Sequence, residues 1–127
     1  MSNAIRRLSE SKVQVEKLEH DNGVEAGRCW VDQSADYSEV RNLSDWWDST
    51  SEYDRELQLT TLETDAFGAS HLLACVIRGN DKCDRRDSDE FWDSAIGESN
   101  QQRNSDQFVR GFAEGAYEVW NQLKERI

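Results

Sequence analysis

The two residues whose spacing is best suited to chemistry are His71 and Cys75, which lie four positions apart. On a helix this spacing places both side chains on one side, where an imidazole could activate a thiolate. Buried cysteine, however, usually acts as a small apolar residue, and buried histidine usually hydrogen-bonds a carbonyl. We therefore expect a structural role for the pair. A small-ligand or enzymatic domain with a pocket near His71 and Cys75 is the alternative.

The cysteines and histidines do not form a metal-binding pattern. Cys29, Cys75 and Cys83 lack C-x-x-C spacing, and His20 and His71 do not bracket them as zinc ligands would. An odd number of cysteines without a recognisable export signal is typical of reduced thiols. The sequence predicts no metal, no cofactor and a cytoplasmic protein.

Other sequence signatures of catalysis are missing. The chain contains no P-loop, no dinucleotide-binding glycine motif, no nucleophile elbow and no H-E-x-x-H. The acidic run from Asp81 to Glu90 resembles a calcium loop in composition alone, because it lacks the glycine and the ligand spacing of an EF-hand. We predict that the protein is not an enzyme and has no catalytic residues.

The chain is strongly acidic. Its 127 residues include 26 Asp and Glu against 15 Lys and Arg, which gives a net charge of -11. Direct binding of nucleic acid needs clustered Lys and Arg to displace counterions, so this balance argues against it. No apolar run approaches the roughly 18 residues of a membrane span, and we expect a soluble protein that does not bind membranes.

Most of the excess charge lies in residues 32–65, where ten carboxylates face two arginines. Trp46 and Trp47 are adjacent within this segment, and neighbours on a helix point about 100° apart. If Trp47 joins Val40 and Leu43 in the core, Trp46 lies towards the flank, near acidic residues and Tyr53. Aromatic anchors inside a charged rim are typical of binding hot spots.

These features predict an acidic protein-interaction protein. A basic partner such as a nuclease or another nucleic-acid-binding protein fits its charge, because carboxylates can replace phosphates in a basic groove and opposite fields accelerate association. An inhibitor, immunity or antitoxin role follows by analogy of composition. The alternative is that the carboxylates bind no partner and only keep the protein soluble. The predicted partner-binding residues are Asp36, Glu39, Asp45, Trp46, Asp48, Glu52 and Tyr53.

The elements that must position these residues are predicted to be helices. The sequence has no proline, and apolar residues recur at three- and four-residue spacing in several segments. We expect an all-α single domain over residues 5–127 with about five helices. The predicted segments are a helix from about His20 to Gln33, a helix at 36–48, a short helix plus loop at 49–64, a central apolar helix at 65–78, a helix at 87–97, and a long C-terminal amphipathic helix at 104–127.

The ends of these segments carry further predictions. Residues 36 and 39, 87 and 90, and 49 and 52 have the spacing of helix-capping boxes. The polar run at residues 21–23 is expected to interrupt any longer N-terminal helix, which leaves the type of residues 5–19 open. Residues 1–4 are predicted to be disordered or to derive from an expression tag.

Two short sequences resemble each other. Gly23-Val24-Glu25-Ala26-Gly27 and Gly111-Phe112-Ala113-Glu114-Gly115 both place glycines four apart. On a helix this spacing leaves a groove free of side chains, so that another backbone can approach closely. We expect close helix crossings in the core. The alternative is that one groove receives a helix from a partner or from a second copy in a homodimer.

Overall fold

The helices predicted from the sequence are present in a computed structural model of the protein, which describes residues 2–33, 35–59, 68–79, 84–98 and 100–124. These residues form six α-helices and a 3₁₀ helix in one domain, with no strand among them, so the all-α prediction is confirmed. The α-helices are α1 (Ser2–Gln33), α2 (Tyr37–Ser49), α3 (Glu52–Leu59), α4 (Gly68–Arg78), α5 (Arg85–Ile96) and α6 (Asp106–Lys124), and the 3₁₀ helix is Gln101–Asn104.

Helix α1 is longer than the sequence predicted. It runs without a break through Asp21, Asn22 and Gly23, the expected interruption, and its 32 residues exceed the 19 of α6. Glycine costs a helix interior about 1 kcal/mol relative to alanine, but here packing against α6 offsets that cost. Residues 2–4 are helical, and their predicted origin in a tag stays a prediction.

Helices α1 and α6 pack through their glycines. Gly23 faces the carbonyl of Phe108 and Gly27 that of Phe112, so the two helices run parallel. Reciprocally, Gly111 faces the carbonyl of His20, and Gly115 faces that of Val24. Each glycine thus meets the carbonyl of the residue three positions before the opposing glycine. The two grooves fill each other within one chain, as the core-crossing interpretation expected.

This glycine seam brings two backbones into direct contact. A Cβ atom built on any of the four glycines would lie 2.0 to 2.2 Å from a carbonyl oxygen of the opposing helix. With a carbon–carbon bond of about 1.5 Å, each glycine Cα lies no more than about 3.7 Å from that oxygen. Such close approach is where Cα–H···O contacts form between helices. Any side chain larger than hydrogen would force the helices apart.

The core next to the seam is built from aromatic rings. Trp30, Phe91, Trp92, Phe108 and Phe112 are all buried and touch one another, with ring centroids 4.9 to 6.5 Å apart. These rings come from α1, α5 and α6, so one cluster joins three helices. The buried indole of Trp92 donates a hydrogen bond of 2.8 Å to the carbonyl of Ser70, which ties α5 to α4 and satisfies the polar atom.

Helix α4 occupies the predicted central position. It contacts α2, α3, α5 and α6, and it buries Ala69, Leu73, Ala74 and Ile77. The helix begins at Gly68, and residues 65–67 of the predicted segment lie outside the described residues, as do residues 60–64 and 125–127. A helix that is apolar around most of its surface must lie inside the fold, which explains this position.

The capping predictions are correct for one helix and displaced for two. Asp36 and Glu39 form the predicted capping box of α2. The box of α5 is formed by Asp84 and Asp87, one turn earlier than predicted, because Asp87 is at the third helical position rather than at the cap. For α3, Ser51 instead of Ser49 accepts the hydrogen bond from the Asp54 amide. Within the described residues, no helix has both the length and the apolar character to cross a membrane.

Candidate protein-interaction surface

Helices α2 and α3 carry the residues predicted to bind a partner, so the candidate site lies at the corner where these helices meet. Asp36, Asp45, Asp48, Glu52 and Tyr53 are exposed, while Glu39 and Trp46 are partly buried. The exposed carboxylates continue on both sides of the predicted set, at Asp32 and Asp54. Glu63 and Asp65, which the sequence assigned to the same acidic segment, lie outside the described residues.

Trp46 and Trp47 are held within the protein. Both indoles are partly buried and pack against the core, and their centroids are 6.4 Å apart in an edge-to-face arrangement. Trp46 donates a hydrogen bond of 3.1 Å from Nε1 to Gln58 Oε1 on α3. The sequence predicted that Trp47 joins the core and leaves Trp46 as the anchor on the flank. Both indoles instead hold α2 to its neighbours.

Trp47 is the centre of a stack of three side chains. Its ring lies parallel to Tyr117 of α6, with centroids 4.7 Å apart, and the Arg55 guanidinium of α3 lies 4.2 Å from the Trp47 centroid. Arg55 Nη1 also donates to the carbonyls of Trp47 and Thr50, at 2.7 and 2.5 Å. A cation at the carboxyl end of α2 is favourable for the helix dipole. The stack therefore joins α2, α3 and α6.

Two of the predicted carboxylates have side-chain partners on other helices. Glu39 Oε2 lies 3.3 Å from Nε of Arg78 on α4. Asp48 Oδ1 accepts a hydrogen bond of 2.5 Å from the Tyr117 hydroxyl, and this bond raises the pKa of Tyr117 because it favours the neutral phenol. Asp45 and Glu52 take part in no ion pair with the described residues. Asp45 and Glu52 are thus better placed to meet a partner than Glu39 and Asp48.

The exposed apolar residues of this surface lie on α3. Tyr53 is 72% exposed and Leu57 is 54% exposed, and their spacing of four places them on the same side of the helix. Glu52 and Asp54 flank Tyr53, so an apolar pair is bordered by carboxylates. Sequence reasoning found Tyr53 but missed Leu57. The spacing of four was visible, but Leu57, Leu59 and Leu62 together fitted neither a helical nor a strand period.

His71 and Cys75 lie on one side of α4, as predicted, with Cys75 Sγ 3.6 Å from His71 Nε2. His71 also lines a cavity of about 140 Å³ together with Ser70, Arg85, Ser88, Asp89, Arg103 and Asn104, whereas Cys75 is not part of this lining. A cavity this small is well below the usual size of a ligand pocket, about 300 to 1,000 Å³. The fold thus brings His71 and Cys75 together, but residues of α5 and the 3₁₀ helix form most of the lining of the cavity beside His71.

Among the described residues, no three His, Cys, Asp or Glu side chains are grouped as they would be to hold a metal ion. Cys29 and Cys75 form no disulfide bond within the described residues, and Cys83 lies outside those residues. Comparison with protein-family models, curated proteins and solved structures finds no match for this chain. Its function must be inferred from the surface itself.

Proposed function

We propose that this protein is a non-enzymatic, cytoplasmic interaction protein that binds a basic partner through the surface of α2 and α3. Tyr53 and Leu57 form the apolar centre of this surface, and Asp45, Glu52 and Asp54 form its acidic border. The observation that carries the proposal is an exposed aromatic and aliphatic pair next to carboxylates that have no ion pair with the described residues, in a chain of net charge -11.

The chemistry of this surface favours a basic protein. A partner that covers Tyr53 and Leu57 would remove apolar area from water, which provides affinity. The carboxylates would direct Lys and Arg side chains to the border, which mainly provides speed of association and selectivity. Nucleic-acid-binding proteins, including nucleases, present such basic surfaces. An inhibitor, immunity or antitoxin role, with the carboxylates in place of phosphates, is the form of this function that we propose.

The test is an affinity capture from the source cell with two surface variants of the full chain. One variant is the double substitution Tyr53→Ala and Leu57→Ala, and the other is Asp45→Lys and Glu52→Lys. The matched control carries Asp89→Lys and Glu90→Lys on the exposed face of α5, which changes the net charge equally. We expect mass spectrometry to identify a basic protein that the wild type and the control retain and that both surface variants lose.

The purified partner then allows the mechanism to be measured. The lysine substitutions should slow association by about tenfold or more and change dissociation less, whereas the alanine substitutions should mainly accelerate dissociation. Raising the salt concentration should weaken wild-type binding, because salt screens exposed charges. Equal capture by all variants, or binding that is insensitive to salt, would exclude this function.

A further inference from the structure

A cleft between α3 and α6 adjoins the surface proposed above and shares Glu52 with it. Its walls come from matching positions on two helices, which in each case lie three and four residues apart and therefore face the same way: Glu52, Arg55 and Leu59 on α3, and Gln107, Arg110 and Glu114 on α6. Trp47 and His20 complete the lining. The volume of about 330 Å³ is at the lower end of the range for small-molecule sites.

Arg55 is prepared to bind a carboxylate. Its Nη1 atom is occupied by the carbonyls of Trp47 and Thr50, and its guanidinium is held over the Trp47 ring. Its Nε and Nη2 atoms form no hydrogen bond with the described residues. These two N–H groups are the parallel donors with which arginine binds both oxygens of a carboxylate. Because the internal contacts already fix the guanidinium, binding would cost little side-chain entropy.

The α6 wall provides further polar groups. Arg110 brings a second guanidinium into the cleft, which is unusual in so acidic a chain. The amide of Gln107 makes no hydrogen bond with the described residues, so it can donate to a ligand or accept from one. Leu59 is buried and supplies an apolar surface beneath these groups. An apolar base with several converging polar groups is the usual composition of a small-molecule site.

The two carboxylates of the cleft differ in their availability. Glu114 accepts a contact of 2.9 Å from Nε2 of His20, across the glycine seam. Glu52 has no ion pair with the described residues, and it lies three positions before Arg55, on the same side of α3. Glu52 can therefore bind the ammonium group of a ligand while the Nε and Nη2 donors of Arg55 bind the carboxylate of the same molecule.

We propose that the α3–α6 cleft binds a free α-amino acid, whose carboxylate pairs with Arg55 and whose ammonium group pairs with Glu52. The size of the cleft and the opposite charges of Glu52 and Arg55, one helical turn apart on α3, carry this inference, which does not depend on the proposed function. Gln107 would add to the recognition of the carboxylate or of a polar side chain.

The experiment titrates the ¹⁵N-labelled full chain with each of the common L-amino acids and follows amide shifts by NMR. Acetate and methylammonium, titrated separately, represent the two halves of the ligand. We expect at least one amino acid to give saturable shifts in α3 and α6, and each half-ligand to bind at least about tenfold more weakly, because each makes one of the two charged contacts.

Two variants assign the contacts. Arg55→Lys keeps the charge but loses the paired donors, so its affinity for the amino acid should fall by about tenfold or more. Arg86→Lys on α5 is the control and should leave the affinity unchanged. Glu52→Gln removes no internal ion pair, so the chain should fold normally. This variant should bind the amino acid more weakly but should bind acetate as the wild type does. The proposal would be overturned if no amino acid gave saturable shifts, or if the wild type, Arg55→Lys and Glu52→Gln bound the amino acid equally well.

Discussion

The glycine seam of α1 and α6 and the corner of α2 and α3 are stabilised in opposite ways. In the seam, two backbones touch because four glycines have no side chains to keep them apart. At the corner, the helices are joined through the ends of long side chains, by the Arg55–Trp47–Tyr117 stack and by the hydrogen bond from Trp46 to Gln58. The first contact is determined by backbone shape, and the second by flexible groups that can adjust.

This difference separates the part of the molecule that maintains the fold from the part that can bind. A backbone contact cannot accommodate an added atom, because close-packed interiors do not deform continuously. The corner can leave Tyr53, Leu57 and Glu52 exposed, since none of them is needed to hold the helices together. Binding groups therefore occur where side chains, rather than backbones, connect the elements.

The largest effect is expected for Gly27→Ala in the seam. The new Cβ would lie 2.1 Å from the Phe112 carbonyl oxygen, so α1 and α6 must separate. We expect the free energy of unfolding in urea to fall by at least about 3 kcal/mol, although alanine is the better helix former by about 1 kcal/mol. Cys29→Ala, on the exposed face of the same helix, is the control and should stay within about 0.5 kcal/mol. A stabilised Gly27→Ala variant would contradict the backbone contact.

The seam also shows how far sequence reasoning reaches. The two glycine pairs were visible in the sequence and predicted close helix crossings, but not that the two grooves would pair with each other. Asp21, Asn22 and Gly23 predicted a break in α1, because local propensity was the only available guide. The structure keeps the helix intact through a contact made 85 residues away in the chain, between Gly23 and Phe108. Such long-range contacts have no local signature.

An intermediate effect is expected for Trp47→Ala at the corner. The substitution removes the ring that lies between Tyr117 and Arg55, and we expect a loss of about 2 kcal/mol because Trp47 is only partly buried. Tyr53→Ala, which removes an aromatic ring that is 72% exposed, should change the free energy of unfolding by less than about 0.5 kcal/mol. Urea unfolding of both variants checks this contrast. Equal losses would mean that Tyr53 is part of the packing and is not available to a partner.

For the candidate site, the sequence predicted the acidic segment but not the role of each aromatic residue. The helical angle between Trp46 and Trp47 correctly implied that they face different directions. It could not show that Gln58, twelve positions later, would accept the hydrogen bond from Trp46. For the same reason the sequence could not show that Asp48 pairs with Tyr117 and Glu39 with Arg78, because these partners belong to other helices.

The smallest effect concerns the hydrogen bond from Tyr117 to Asp48, which links α6 to the corner. It raises the pKa of Tyr117 above its usual value near 10, mainly because the neutral phenol donates to the carboxylate. The folded state therefore keeps a proton that the unfolded chain has already lost. This contribution to stability is complete below pH about 10 and disappears as the pH rises through the folded-state pKa.

In the Asp48→Asn variant we expect the Tyr117 pKa to fall towards the usual value. The absorbance of the phenolate reports it in a background of Tyr37→Phe and Tyr53→Phe, which leaves Tyr117 as the last of three tyrosines. The control Asp45→Asn removes an exposed carboxylate of the same helix and should leave the titration unchanged. At neutral pH, Asp48→Asn should cost at most about 1 kcal/mol, because the amide oxygen can still accept the hydrogen bond. If the two variants titrate alike, Asp48 is not held by Tyr117 and belongs, with Asp45, to the carboxylates that face a partner.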